Sequence, residues 1–232
     1  MGDTARHTMR EGLMKTYHIR RARVLYDPTH AREAFWQAAE IAEVNTFPWY
    51  KGGEQWQAFA QLLYDDAHLY FRMVTSEDHA IRGIYTEPNQ MVHKDSCAEL
   101  FVLPGTALET GYFNYEINCV GTLHLAYGRG RSGRQFVRPE WAELVRIWHS
   151  IPGPQKEEQP DDCCWEVEAA IPFAVMQAYV DFPLPQPGTE WRGNFYRCAD
   201  DTSNPQWSVW NPITLPQPDY HRPEFFGRLL FM

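Results

Sequence analysis

The sequence of 232 residues has no apolar run long enough to cross a membrane, since a spanning helix needs about 20 such residues. Residues 1–23 carry charges but no apolar core of the length found in signal peptides. This absence predicts a cytoplasmic protein, or a secreted or periplasmic one whose leader has been removed. The one basic cluster, Arg129, Arg131 and Arg134, is short and glycine-spaced, and the net charge is −9. Nucleic acids and anionic membranes are therefore not expected as partners.

Signatures of common active sites are missing as well. There is no HExxH motif, no GxSxG elbow and no glycine loop that leads convincingly into a helix. The five cysteines include no zinc-type CxxC pair, and three of them lie in strand-like runs, where a reduced thiol behaves as a small core residue. That usage indicates a reducing compartment. Neither a linker nor an internal repeat divides the chain, so we expect one domain over 25–232, preceded by an extension (1–24) that is partly disordered or contains a first strand.

Aromatic and turn-forming residues are abundant. The chain has 9 Trp, 12 Tyr, 13 Phe, 17 Pro and 15 Gly, a composition typical of β structure with many turns. Period-two alternation of apolar residues predicts strands at 68–74, 96–103, 111–120, 165–171 and 191–198. Helical spacing is found only over 28–44 and 139–149. We therefore predict an all-β fold, an antiparallel β-sandwich of jelly-roll or immunoglobulin-like type with one or two short helices.

The strand predicted over 111–120 has an unusual polar face. Phe113 and its apolar neighbours lie on one side, and the other side carries four groups suited to sugars: Tyr112, Asn114, Glu116 and Asn118. Amides and carboxylates pair with vicinal hydroxyls, and an aromatic plane covers the C–H face of a sugar ring. The alternative is a solvent-facing strand rich in amides. In the strand over 165–171, Glu166 and Glu168 are predicted to face solvent.

Tryptophans in loop-like sequence are candidate platforms for a sugar ring. Trp207 and Trp210 lie close to prolines and asparagines, and Trp49-Tyr50 lies between Pro48 and two glycines. Stacking an indole on one pyranose face removes about 60–100 Å² of apolar surface from water, or roughly 2 kcal/mol. The alternative is that these side chains belong to the core or to a lid.

Two glutamates, Glu99 and Glu116, lie on successive predicted strands. A glycoside hydrolase needs two carboxyl groups about 5–5.5 Å or about 6.5–9.5 Å apart, with pKa values that differ. Two carboxylates in a sugar pocket also serve as acceptors for hydroxyl groups. We prefer the second interpretation and keep hydrolysis as the alternative.

Pairs of aspartates at strand ends are candidate ligands for Ca²⁺, which prefers hard oxygen donors. The alternative is ordinary turn chemistry, and no other cofactor is predicted from the residues. The pairs are Asp65-Asp66, Asp161-Asp162 and Asp200-Asp201.

Six stretches in order, from about residue 25 to the C-terminus, resemble the family 9 carbohydrate-binding modules, and more closely the family-9-like proteins of Bacteroides-type bacteria. The stretches are 63–71 (LYDDAHLYF), 94–101 (KDSCAELF), 115–122 (YEINCVGT), 165–173, 191–197 (WRGNFYR) and 210–227, which holds WNP and HRPEFFG. The resemblance implies a jelly-roll sandwich that often holds structural calcium. It also implies binding to a mono- or oligosaccharide, in association with glycoside hydrolases that break down polysaccharides.

In well-understood members of that family, two tryptophans sandwich the terminal sugar, and a carboxylate and an arginine bind its hydroxyls. By resemblance, Trp210 matches one tryptophan and Glu99 matches the carboxylate. The second tryptophan falls near His93, and the arginine falls on Glu116 or next to it. Because of these two departures, the specificity of cellulose- or xylan-binding relatives is not carried over.

The main hypothesis is non-catalytic carbohydrate binding. The predicted ligand-binding residues are Trp210, Glu99, Glu116, His93, Trp207, Asn118, Asn194, Arg197 and Tyr112. Glycoside hydrolysis by Glu99 and Glu116 is the first alternative. The second is a haem-binding sandwich, because a related β-sandwich group holds haem through Met and His ligands; Met91 with His93, or His124, could serve here.

Overall fold

The computed structural model describes residues 14–28 and 32–232, and most of its regular structure is β. The strands are β1 (Thr16–Arg21), β2 (Ala42–Glu43), β3 (Gln57–Tyr64), β4 (His68–Ser76), β5 (Cys97–Leu103), β6 (Tyr112–Asn118), β7 (Leu123–Gly128), β8 (Gln135–Phe136), β9 (Arg146–His149), β10 (Cys164–Pro172), β11 (Glu190–Cys198), β12 (Trp207–Val209) and β13 (Gly227–Phe231). Short α-helices are α1 (Arg32–Trp36), α2 (Pro139–Ala142) and α3 (Phe173–Gln177), and 3₁₀ turns cover Val92–Lys94, Leu108–Thr110 and Pro223–Phe225.

The strands form one curled sheet with two halves. The front half has the order β8-β7-β6-β5-β11-β13, with β12 paired to β11, and the back half has the order β3-β4-β10-β9, with β2 paired to β3. Strand β1 joins them: its residues 16–19 pair with β13, and its residues 20–21 pair with β3. The halves face each other, as the stacking of Phe71 on Phe195 at 6.3 Å between ring centroids illustrates.

The prediction of a mostly β fold is confirmed, but a purely antiparallel sheet is wrong. Both pairings of β1 are parallel, while those between the other strands are antiparallel. The cause is that β1 enters between β13 and β3, and both of these strands run in its own direction. The sheet is therefore mixed at the position where its halves meet.

Period-two alternation decides which side chains fill the space between the halves. On β6, Phe113, Tyr115 and Ile117 belong to this inner core, as predicted. On β5 the core residues are even-numbered, for example Leu100, and on β11 they are odd-numbered, for example Phe195. The remaining residues of these strands point to the outer face of the front half.

This outer face is covered by residues 211–226. Tyr220 stacks on Tyr196 of β11 with ring centroids 4.1 Å apart. Phe226 contacts Tyr112 of β6 edge to face at 5.2 Å, and Phe101 of β5 joins the same apolar cluster. A second layer of packing therefore lies outside the sheet, and it encloses the polar face that the sequence predicted on β6.

The outer face of the back half is covered too. Glu168 is fully buried beneath Arg32 and Tyr26. Arg32 donates to its Oε1 at 2.8 Å, and Tyr26 donates to its Oε2 at 2.9 Å. Glu166 binds the same Arg32 and also Arg72. The prediction that Glu168 faces solvent is wrong because residues around α1 fold over this face.

Both helix predictions were too long. Within 28–44, α1 ends at Trp36 and β2 begins at Ala42 to pair with β3; residues 29–31 lie outside the described part. Within 139–149, α2 ends at Ala142, and β9 then pairs with β10. In each case pairing with a strand distant in sequence overrides the helical spacing.

The predicted partly disordered extension falls largely on residues 1–13, outside the described residues, and the domain boundary at residue 25 stays a prediction. In the described residues, no helix is long and apolar enough to cross a membrane.

Candidate functional site

A cavity of about 220 Å³ lies between the outer face of the front half and the covering segment 211–226. We call it the front cavity. Its floor comes from β5, β6 and β11, and its walls come from β12, the turn at Val92–Lys94 and the covering segment. The lining residues are His93, Glu99, Phe101, Glu116, Arg131, Cys198, Asp200, Trp207, Pro218, Asp219, Tyr220 and His221.

Two carboxylates lie side by side on the floor. Glu99 of β5 is directly opposite Glu116 of β6 in the antiparallel register, and both are at most 5% exposed. Asn114 Nδ2 donates to Glu116 Oε1 at 2.7 Å, and Cys198 Sγ donates to Glu99 Oε1 at 2.8 Å. Burial, and then the neighbouring charge of Glu116, raises the pKa of Glu99 well above its usual value. The floor therefore concentrates carboxyl oxygens.

One wall combines a histidine, an aspartate and a tryptophan. His93 lies between two acids, with its Nδ1 3.9 Å from Glu116 Oε2 and its Nε2 3.9 Å from Asp200 Oδ2. Trp207 Nε1 donates to Asp200 Oδ1 at 2.7 Å, which fixes the half-buried indole. Burial raises the pKa of the Asp200 carboxyl. An aromatic plane is thus held beside two acceptors.

The opposite wall is built around His221. Its Nδ1 lies 2.9 Å from the hydroxyl of Tyr112, and its ring is 5.0 Å from that of Phe101. Burial, followed by the nearby guanidinium of Arg134, lowers the pKa of His221 to about 3. The ring is therefore neutral at ordinary pH, and one of its nitrogens can accept a hydrogen bond while the other donates.

The cavity thus offers four carboxylates, aromatic walls and few cations. At about 220 Å³ it is smaller than the roughly 300–1,000 Å³ of sites for drug-sized ligands. Its size and chemistry suit one small ligand that donates several hydrogen bonds and has an apolar side.

The profile of carbohydrate-binding family 9 matches residues 16–231. The chain belongs to this family. Membership confirms the resemblance drawn from the six stretches and, with it, the predicted class of function, non-catalytic carbohydrate binding. No curated protein matches the sequence.

Solved structures agree on the fold. A candidate carbohydrate-binding protein from Bacteroides uniformis is similar with a TM-score of 0.83 and 24% identity, over 94% of this chain and all of that one. A family 9 module from Caldicellulosiruptor kristjanssonii in complex with glucose has a TM-score of 0.61 and 15% identity, over 94% and 96% of the two chains. A family 9 module from Caldicellulosiruptor kristjanssonii in complex with cellotriose has a TM-score of 0.56 and 14% identity, over 94% of this chain and 93% of that one.

Within this family 9 chain, five of the predicted ligand residues come together at the front cavity. Glu99, Glu116, His93 and Trp207 line it directly. Tyr112 is fully buried behind the wall and holds His221 in place.

Trp210, which the resemblance predicted to be a sandwiching tryptophan, lies elsewhere. Its side chain is 4% exposed and packs in the inner core, 5.3 Å from the ring of Phe195 and 6.3 Å from that of Tyr17. Side chains alternate between the two faces of a sheet along β12, and Trp210 directly follows this strand. Because it is three residues after Trp207, its side chain points to the opposite face. The structure therefore separates the two candidate platforms and leaves Trp207 at the cavity.

Three further predicted residues serve the fold. Arg197 points into the core, where it pairs with Asp78 and lies 3.6 Å from the ring of Trp56. Asn194 ties β11 to the backbone of residue 211. Asn118 donates to Asp95 Oδ2 at 2.9 Å and caps the turn after β6. None of the three lines the front cavity.

Most of the aspartate pairs have partners in turns or ion pairs. Asp65 accepts bonds from two backbone amides and from Tyr70, and Asp66 pairs with Arg21. Asp201 pairs with Lys94, and Asp162 accepts from residues 155 and 159. Asp161 is exposed, and Asp200 alone among them lines the cavity. Calcium stays a prediction.

The remaining candidates lie outside the cavity lining. Met91 is half exposed, and His124 Nδ1 lies 3.1 Å from the carbonyl of residue 90, so haem ligation stays a prediction. Trp49 packs behind Tyr220 and donates to the backbone of residue 215, whereas Tyr50 is exposed.

Sequence reasoning missed the residues of the cavity that come from the covering segment, Asp219, Tyr220 and His221, as well as Cys198 on the floor. Cys198 could have been found, because alternation along β11 places it on the outer face with Tyr196. No pattern in 211–226 indicated that this segment folds back over β5 and β6.

Proposed function

We propose that the front cavity binds a single sugar ring, either a monosaccharide or the end of an oligosaccharide. The observation that carries the proposal is the arrangement of Trp207, held by Asp200, in the same cavity as the acceptors Asp200 and Glu116, which lie on either side of His93. In this proposal the curled sheet is a sandwich of jelly-roll type that holds the residues of the cavity in place.

Hydroxyl groups of the sugar donate to the carboxylates, in keeping with the acceptor-rich floor. Glu99 and Glu116 offer oxygens on adjacent strands, and vicinal hydroxyls form bonds of this kind in pairs. The indole of Trp207 covers the C–H face of the ring, for roughly 2 kcal/mol. Binding driven by one platform is weak, with a dissociation constant on the order of 0.1–1 mM.

Glucose and cellotriose are the ligands to test first, since complexes of a similar family 9 module contain them. Calorimetric titration of the native chain should show binding at millimolar concentration. Trp207→Ala should weaken it by about tenfold to thirtyfold, the loss of roughly 1.5–2 kcal/mol. Glu116→Gln should also weaken it, because an acceptor oxygen is replaced by a donor amide.

Two control variants make the test specific. Trp210→Phe changes a tryptophan of the inner core, and Phe136→Ala changes an exposed ring of β8 that does not line the cavity. Both should keep the native affinity while folded, as judged by near-ultraviolet circular dichroism. Absence of sugar binding in the native chain, or native affinity in Trp207→Ala, would contradict the proposal.

Glycoside hydrolysis is the second candidate, favoured by one observation. Burial and the charge of Glu116 raise the pKa of Glu99, and a carboxyl group with a raised pKa is what a general acid in glycoside hydrolysis requires. Turnover of chromogenic glycosides that disappears in Glu99→Gln would support it, and inactivity across substrates would remove it. Association with separate glycoside hydrolases stays a prediction.

A further inference from the structure

Two thiols and a carboxylate meet at the floor of the front cavity. Cys97 of β5 lies directly opposite Cys198 of β11, and Glu99 is two residues further along β5 on the same face. Each offers one ligand atom, and these three atoms lie within 4.8 Å of one another. All three side chains are at most 2% exposed. Since the donors come from two neighbouring internal strands of the sheet, their spacing is set by backbone pairing.

The donor set selects a class of ion. Calcium and magnesium prefer sites made of oxygen atoms, whereas two cysteine sulfurs with one further ligand are typical of zinc and similar thiophilic divalent ions. A zinc site with three protein ligands keeps an open position for water or another oxygen ligand. Glu99 and Cys198 line the front cavity, so such a position has space beside it.

The surroundings of the three groups favour a cation. In the described part of the chain Glu99 has no Lys or Arg within ion-pair distance, and its hydrogen-bond partner is the thiol of Cys198. Glu116 and Asp200 add negative charge nearby, while Arg131, the guanidinium that lines the cavity, is 66% exposed. A buried carboxylate without a cationic partner is costly, and a bound metal ion would supply that partner.

We propose that Cys97, Glu99 and Cys198 form a binding site for one thiophilic divalent cation of the zinc type. Binding releases the thiol protons to the buffer as the sulfurs become thiolates. The site shares Glu99 with the proposed sugar contact but does not depend on sugar binding.

Cobalt is a direct probe, because Co²⁺ bound to thiolates has a charge-transfer absorption in the near ultraviolet. The full chain is prepared reduced and free of metal, with the exposed neighbours Cys163 and Cys164 replaced by serine to remove a competing pair. Titration with Co²⁺ should give this absorption at one ion per chain, and Zn²⁺ should abolish it.

Variants then assign the ligands. In the same background, Cys97→Ser and Cys198→Ser should lose the absorption, and Glu99→Gln, which keeps both thiols, should weaken binding by at least about tenfold. Cys119→Ser is the matched control, since this buried cysteine lies in the inner core outside the cluster. It should behave like the background chain.

Three results would overturn the proposal. They are the absence of cobalt absorption in the background chain, its persistence in either cysteine variant or at full affinity in Glu99→Gln, and a Cys97–Cys198 disulfide in the protein as purified, read by intact mass without reductant. The titration contains no sugar, so a failure of the proposed sugar binding does not alter its outcome.

Discussion

The neutral, enclosed ring of His221 predicts that this family 9 domain loses stability in mild acid. Burial lowers the pKa of the ring to about 3, and the neighbouring guanidinium groups of Arg134 and Arg131 act in the same direction. Protonation of His221 would place a positive charge close to the guanidinium groups of Arg134 and Arg131 and beside the apolar ring of Phe101. The unfolded chain, by contrast, protonates this histidine near pH 6.5, the ordinary value.

The magnitude follows from linkage. With a pKa of 6.5 in the unfolded chain and about 3 in the folded one, the unfolded state binds one more proton between these values. The contribution of His221 to stability is complete above about pH 6.5 and is lost as the pH falls towards about 3. From about pH 8 to about pH 4 the loss is about 3 kcal/mol.

Urea unfolding at about pH 8 and about pH 4 measures this loss. Between these two pH values the free energy of unfolding of His221→Asn should decrease by about 3 kcal/mol less than that of the native chain. Two ionisable groups close to the ring, Tyr112 and Asp219, remain in the variant, so the difference isolates the histidine. The matched control is His79→Asn, an exposed histidine, which should keep the native pH dependence. Equal losses in His221→Asn and the native chain would refute the reasoning.

Other perturbations test the packing that holds the site. Arg197→Met leaves the buried carboxylate of Asp78 without its cation, and urea unfolding should show a loss of about 3–5 kcal/mol. Gly227→Ala would place a Cβ in collision with the Trp210 ring, so the free energy of unfolding should fall by at least about 1–3 kcal/mol. Glu168→Gln weakens a fully buried acceptor of two hydrogen-bond donors and should lower the thermal midpoint, whereas a native midpoint would show that these bonds contribute little.

The alternation of apolar and polar residues made five strands of the sheet predictable from the sequence. Strands β4, β5, β6, β10 and β11 each coincide with a predicted run, because side chains that fill the inner core recur every second residue. The same periodicity placed Glu116 and its polar neighbours on one face. Family-like stretches then identified the family, which periodicity alone cannot do.

The segments that cover the outer faces of the sheet could not be predicted in this way. Residues 211–226 have no repeating pattern, and the helical spacing over 28–44 does not show which face of the sheet α1 covers. Whether Glu168 is exposed depends on Arg32, 136 residues away, and not on the strand that carries it. For the same reason the sequence could suggest Glu116 as a ligand residue but could not supply His221, which lines the same cavity from the covering segment.

The two tryptophans at β12 show how far one rule could have carried the site prediction. Trp207 and Trp210 are three residues apart, and an odd separation in extended chain places two side chains on opposite faces of a sheet. In the structure β12 ends at Val209, and the side chains of Trp207 and Trp210 lie on opposite faces of the sheet. Trp210 packs on Phe195 in the core, and Trp207 is held by Asp200 at the cavity. Trp210 therefore does not line the front cavity in this structure. If the front cavity binds a sugar ring as proposed, Trp207 and the acidic groups of the floor supply the contacts without Trp210.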